Sequence, residues 1–429
     1  MDIIILNNFK VCFINKYILR FGNDIWGKLC ENGLLDSIEI INKYLRFIKN
    51  NRKFWRLLCQ SGSLNSKEII NKYLEYIKDD IWYWKYLCKS GSLNSKEIIN
   101  KYLQFIKDDI WCWRYLCESG SLNSIEIINE YIEYIKNDIE CWRNLCFSGS
   151  LNSIEKIDKY LQFIKDDREC WRYLCKSGSL NIKKIINKYI EYIKNDVECW
   201  RYLCQSGSIN SIELINEYIV YIKNNKWCWR YLCLSGSLNS KEKINKYIKY
   251  IKNDELCWGY LCLSGSLNSK EIINEYLEYI KNDIYCWRYL CKSGSLNSKE
   301  GLINKYLRFI KDDIWCWRWL CKSGSLNFTG GLINKYLQFI KKDEKCWREL
   351  CLSGSLNSIE CIDKYLIFFK DDIVCWKYLC RSGIINSIEK IDRYSIYFKN
   401  DIDCWINLFI FKNIKNINYT FNNYLIDIF

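Results

Sequence analysis

Apolar residues in this chain recur with helical spacing inside a longer period. In the stretch Ser61 to Lys89, SGSLNSKEIINKYLEYIKDDIWYWKYLCK, the residues Ile69, Ile70, Tyr73, Leu74, Tyr76 and Ile77 share one face. At about 100° per residue they fill an arc of roughly 160°, the broad stripe of an amphipathic helix. Glu68, Lys72 and Glu75 lie opposite. Asn65 with Glu68 three residues on has capping-box form and places the helix start there. A second helical pattern carries Ile81, Trp84, Leu87 and Cys88 on one face. Asp79 and Asp80 suit its N-cap, and Gly91 the left-handed position after it. The prediction is two antiparallel helices, A and B, of about 13 and 10 residues joined by minimal turns.

This unit repeats almost end to end. Its turn glycine falls at Gly33, Gly62, Gly91, Gly120, Gly149, Gly178, Gly207, Gly236, Gly265, Gly294, Gly324, Gly354 and Gly383, a 29-residue spacing with two 30-residue steps. Gly301 and Thr329-Gly330-Gly331 mark the two insertions. A fixed period of this size predicts a stacked repeat architecture. Residues 1–31 read as a degenerate first unit, 32–405 as tandem repeats and 406–429 as a C-terminal cap, a single array without a linker. The expected fold class is all-α: a right-handed alpha-solenoid of about thirteen helix pairs stacked into a superhelix. Stacking near 10 Å per unit would extend it roughly 100–130 Å.

A leucine-rich repeat has a similar period and would put helix B on a strand. The residue after its Cys would then be buried, yet it is Lys89, Glu118, Lys176, Lys292 or Lys322 in many units. Buried charge at that frequency is untenable, so the helical reading holds. The run L-C-x-S-G-S-L followed by E-I-I-N-K-Y-L resembles ankyrin repeats, in which a helix ends at a Gly turn and an apolar helix follows. The chain lacks their T-P-L-H signature and has no room for their β-hairpin finger. What the resemblance implies is a protein-binding array.

Composition narrows the chemistry. There is no His among the 429 residues, which removes Ser-His and Cys-His pairs and His metal sites. No phosphate loop occurs, and the Asp doublets recur as caps, so no enzyme activity, cofactor or metal is expected. The net charge of +14 is spread at about +1 per unit and forms no basic block. No apolar run reaches the roughly 18–20 residues of a membrane span, and the N-terminus lacks a basic region before its apolar run. A soluble, intracellular, cytoplasmic protein without a membrane partner is expected. Ile, Asn, Lys and Tyr, all with A/T-rich codons, are abundant and fit an AT-rich genome such as those of some large DNA viruses.

Of 26 cysteines, thirteen stand four residues after the repeat Trp and eleven directly before it. The two on one helix point about 140° apart and cannot pair. Equivalent cysteines of adjacent units lie near 10 Å apart, beyond the roughly 7 Å that a disulfide allows. Small buried hydrophobes in a reducing compartment is the reading that follows. The repeat Trp, from Trp26 to Trp405, shares a face with Leu and Cys and reads as core. Asn71 and its equivalents stand in mid-helix, where Asn is unfavourable, and read as hydrogen-bonding a turn or a neighbouring unit.

The other face of helix B carries the candidate site. Arg114, Arg143, Arg172, Arg201, Arg230, Arg288 and Arg318 stand one residue after the Trp. Three residues before each Arg the sequence varies: Trp82, Trp111, Glu140, Glu169, Glu198, Trp227, Leu256, Tyr285, Trp315, Lys345. In a solenoid, constant positions build the stack and variable exposed ones can recognise a ligand. Two readings of the Arg row stand side by side: a binding face with Trp82, Trp111, Trp227 and Trp315, or an ion-pair ladder with Asp or Glu of an adjacent turn. The expected role is a scaffold for a protein partner. Single-stranded nucleic acid is the second class, with aromatics stacking on bases, and a structural or self-assembling role the third.

Overall fold

The computed structural model describes residues 25–297, 301–327, 331–385 and 387–410. All regular elements among them are helices. The chain divides into two compact units, Met1–Cys228 and Trp229–Phe429, and the described residues of each form sequentially packed helix pairs. In the first unit a typical pair is Lys96–Ile106 and Ile110–Glu118; in the second, Lys241–Ile251 and Glu255–Leu263. Helices A and B have up to 11 and 9 residues, each within two of the expected length. Within each unit helix B of one repeat packs on helix B of the next.

The helix ends show why each repeat stops where it does. Helix A is capped by Ser95, whose Oγ accepts from the Ile98 N–H, and equivalently by Ser66. The expectation placed the cap one residue early, on Asn65; the serine after it has the extended backbone of a cap. Ile182 replaces this serine in one repeat and forms no side-chain cap bond. Helix B is capped by Asp, as expected: Asp80 Oδ1 accepts from the Trp82 N–H at 3.0 Å. At its far end Gly91 has φ +74°, and the Ser92 N–H donates to the Leu87 carbonyl at 3.0 Å, closing a Schellman turn. The flanking hydroxyls of Ser90 and Ser92 share a 2.8 Å hydrogen bond, and Ser92 is buried.

At the first insertion Gly301 has φ +65° and opens a shortened helix, Leu302–Lys305. Gly331, φ +67°, does the same for Leu332–Lys335, while Thr329 and Gly330 lie outside the described residues. Of the two expected caps, Ile25–Glu31 and Ile402–Ile410 are helices; residues 1–24 and 411–429 lie outside the described residues.

The core is built at the joints between repeats. Trp84 is 1% exposed; its Nε1–H donates to the Lys78 carbonyl of its own repeat at 3.3 Å. Its ring stacks on Phe105 of the next repeat, 4.6 Å between centroids and 4° from parallel, with Tyr102 tilted beside it at 5.4 Å. The second unit repeats this at Trp258, Tyr279 and Tyr276. Asn71 does what its mid-helix place suggested. Its Oδ1 accepts from the Tyr102 hydroxyl of the next repeat at 2.8 Å, and that hydroxyl also meets the Lys67 carbonyl. Where Asp158 replaces Asn, Tyr189 still donates to it and Lys188 neutralises it; Asp363, Tyr394 and Arg393 repeat the arrangement.

Candidate functional site: the outer face of helix B

Helix B turns its Trp, Leu and Cys inward, which leaves three rows facing out. They lie two residues before the Trp, one after it and two after it. The first row is exposed at Trp82, Trp111, Trp227, Leu256, Tyr285 and Trp315, with Trp82 at 56% and Tyr285 at 59%. Indoles this open in a protein whose repeat Trp rings, from Trp26 to Trp405, are buried are not explained by packing.

The Arg row is engaged with the following repeat. Arg114 grips Asp138 in a two-pronged contact, Nε to Oδ1 at 3.2 Å and Nη2 to Oδ2 at 2.8 Å. Arg143 binds Asp167 and also Glu140 on its own helix at 2.6 Å. Arg172 does the same with Asp196 and Glu169. Arg201 pairs with Glu198. In the second unit Arg230, Arg288 and Arg318 meet Asp254, Asp313 and Asp343 at 2.9, 2.6 and 2.7 Å. Each such Asp is also the N-cap of its helix; Asp138 accepts from the Cys141 N–H at 3.0 Å. One carboxylate therefore holds both a helix start and the joint below it. Of the two readings of the Arg row, this is the geometry of the ion-pair ladder.

The aromatic row and the Arg row meet. Arg114 lies 4.8 Å from the Trp111 ring centre, Arg318 4.7 Å from Trp315, Arg288 5.1 Å from Tyr285 and Lys85 4.7 Å from Trp82. Trp227 lies beneath Arg201 of the preceding repeat at 5.2 Å. Each cation is thus shared between a ring and a carboxylate, which fixes the ring's orientation. Shallow clefts open on this face. One, of about 400 Å³, is lined by Arg56, Trp82 and Tyr86 among others. Another, of about 220 Å³, is lined by Trp315, Trp319, Arg348 and Tyr378 among others. The second is below the roughly 300 Å³ of ordinary small-molecule sites.

The ladder and the tyrosines make the fold sensitive to pH at both extremes. Burial alone would raise the carboxyls of Asp138, Asp167 and Asp343; the guanidinium and the cap N–H outweigh it and hold each below the usual carboxylate range. A depressed folded value means the stabilisation is complete above the ordinary carboxylate pKa, about 3.9, and is lost as pH falls through the folded value. Tyr102 is the opposite case, pushed up to about 12 by burial and then by the Glu68 carboxylate; Tyr131, Tyr160, Tyr218 and Tyr276 also reach about 12. Their stabilisation is complete below the ordinary phenol value of about 10 and is lost as pH rises through about 12, when a phenolate can no longer donate to Asn. Melting temperature against pH should be flat between about pH 5 and 9 and fall on both sides. A decline beginning at pH 6 or 7 would contradict this origin.

The sequence reading missed the arrangement of the thiols. It compared equivalent cysteines of adjacent repeats, whereas the contact joins non-equivalent ones. Cys88 meets Cys112 of the next repeat thiol to thiol, as Cys117 meets Cys141 and Cys233 meets Cys257. The signal was available: Cys88 to Cys112 and Arg114 to Asp138 are each 24 residues apart against a 29-residue period, the same offset of five. Among the described residues no group of three or more His, Cys, Asp or Glu could hold a metal ion. No helix among them is long and apolar enough to cross a membrane. The chain is a regular helical repeat protein of about 29 residues per unit, and no family model, curated protein or solved structure matches it.

Proposed function

We propose that the chain is a non-enzymatic scaffold that binds a protein partner along the outer face of helix B. One observation carries this reading. The stack-building Trp and Leu of helix B recur in every repeat from Trp26 to Trp376, and its Cys pair and Arg or Lys in most. The exposed position two before the Trp changes from Trp111 to Glu140, Glu169 and Glu198, then to Trp227, Leu256, Tyr285, Trp315 and Lys345. A solenoid that keeps its interior and varies one outward row presents a patterned surface, and exposed Trp and Tyr are what partner proteins bury. The likeness to ankyrin repeats points the same way. Nucleic acid is the weaker reading because most of the Arg row is committed to Asp carboxylates, leaving little cationic charge for phosphate.

The test compares the native protein with Trp111→Ala and Trp315→Ala variants in affinity capture from native host extract, with and without nuclease. Capture of a protein should survive nuclease and be lost in the variants. Melting should barely change, since such exposed substitutions usually cost within about 0.5 kcal/mol plus a comparable loss from the guanidinium contact. Capture that vanishes with nuclease and depends steeply on salt would assign the face to nucleic acid. Capture indifferent to both substitutions would move the site elsewhere.

A further inference from the structure

Among the described residues thiols meet across eleven joints between repeats. The pairs are Cys88–Cys112, Cys117–Cys141, Cys146–Cys170, Cys175–Cys199 and Cys204–Cys228 in the first unit. In the second they are Cys233–Cys257, Cys262–Cys286, Cys291–Cys316, Cys321–Cys346, Cys351–Cys375 and Cys380–Cys404. All of these sulfurs are buried. Packing alone does not require cysteine here: at an N-terminal joint Tyr83 lies beside Cys59 and fills the space with a ring. At the eleven joints named above both members are sulfur, on neighbouring helices B.

We propose that these joints are oxidation sites, each closing to an inter-repeat disulfide by exchange with a low-molecular-weight disulfide such as oxidised glutathione. One cysteine thiolate attacks a sulfur of the small disulfide, forming a protein–small-thiol mixed disulfide and releasing one small thiolate. The second cysteine thiolate attacks the protein sulfur and releases the other. Two electrons pass from the cysteine pair to the small disulfide, and the two cysteine protons end on the released thiolates. The product suits its surroundings: a disulfide is neutral, as the buried thiol pair is, whereas a thiolate would place charge in the core. Burial raises thiols such as Cys117 and Cys146 well above their ordinary value, so exchange proceeds through local opening of a joint and is slow in the closed state. Closure ties helix B to the next at each of these joints, which then pass from nearest-neighbour packing to covalent linkage.

The experiment uses the full chain, reduced and folded, incubated with excess oxidised glutathione, quenched in acid, alkylated and mapped by peptide mass. Bridges joining Cys117 to Cys141 and the equivalent pairs are expected, each with the loss of two hydrogens. Cys59, whose counterpart across the joint is Tyr83, should form no bridge. Melting temperature should rise with the number of bridges and return on reduction. Cys141→Ala should remove the Cys117–Cys141 bridge and leave the other ten, a readout that needs only one joint to be altered. Glutathione adducts without bridges, bridges within one helix such as Cys112–Cys117, bridges between molecules, or no bridge after prolonged exposure would each overturn the proposal.

Discussion

Trp200→Ala is expected to destabilise its part of the array by about 3–5 kcal/mol, the range for deleting a large buried aromatic. Trp200 is 1% exposed. Its ring stacks on Tyr221 of the next repeat at 4.5 Å and 4°, touches Tyr218 at 5.4 Å, and donates from Nε1 to the Lys194 carbonyl at 3.2 Å. Alanine removes both ring contacts, leaves that carbonyl without its partner and opens a cavity at a joint. The surrounding helices are only about ten residues long and cannot collapse far to fill it. In a repeat array each unit contacts only its neighbours, so the damage should stay local. Amide exchange should accelerate in the repeats carrying Trp200 and Tyr221, while those around Trp84 and Trp113 keep their protection. A uniform rise along the first unit would show that it unfolds as one cooperative block and would refute the nearest-neighbour account.

Arg143→Glu should lower stability by about 2 kcal/mol, between the roughly 0–1 of an exposed ion pair and the roughly 3–5 of breaking a buried one. The Arg143 side chain is 28% exposed and that of Asp167 18%, so solvent screens the pair only in part. Reversal sets the new carboxylate against both Asp167 and Glu140. The double function of Asp167 allows a finer separation. Its Oδ1 also accepts from the Cys170 N–H at 2.8 Å as the helix cap. Asp167→Asn keeps a good cap and loses only the charge, whereas Asp167→Ala should cost about 1 kcal/mol more. Thermal melting of the three variants orders the two contributions. The same set weighs the role of the Arg row: if Arg143→Glu abolishes partner capture with melting unchanged, the guanidinium belongs to the binding face and not to the stack.

Much of this was legible in the chain itself. The 29-residue period, the two helices, the apolar face of each and the left-handed glycine after helix B depend on residues close in sequence, and these reach three-dimensional form through local geometry. The outward direction of the Trp82 and Trp111 row followed from the same helical arithmetic. The Asn71 bond to a neighbour was foreseen because an amide in mid-helix needs a partner, but the donor, Tyr102, was not. Nor was the pairing of Arg114 with Asp138 chosen over a free Arg row, or Cys117 matched to Cys141. All three contacts cross a joint. Periodicity fixes which face a side chain occupies; it does not fix how far one helix is shifted and rotated against the next. That stagger comes from side-chain packing at the Trp–Tyr joints, and its constant offset of five residues brings thiol to thiol and guanidinium to carboxylate. The sequence by itself determined the repeat and its inner and outer faces; the tertiary structure decided which residues of neighbouring repeats meet, because that register exists only once the helices are stacked.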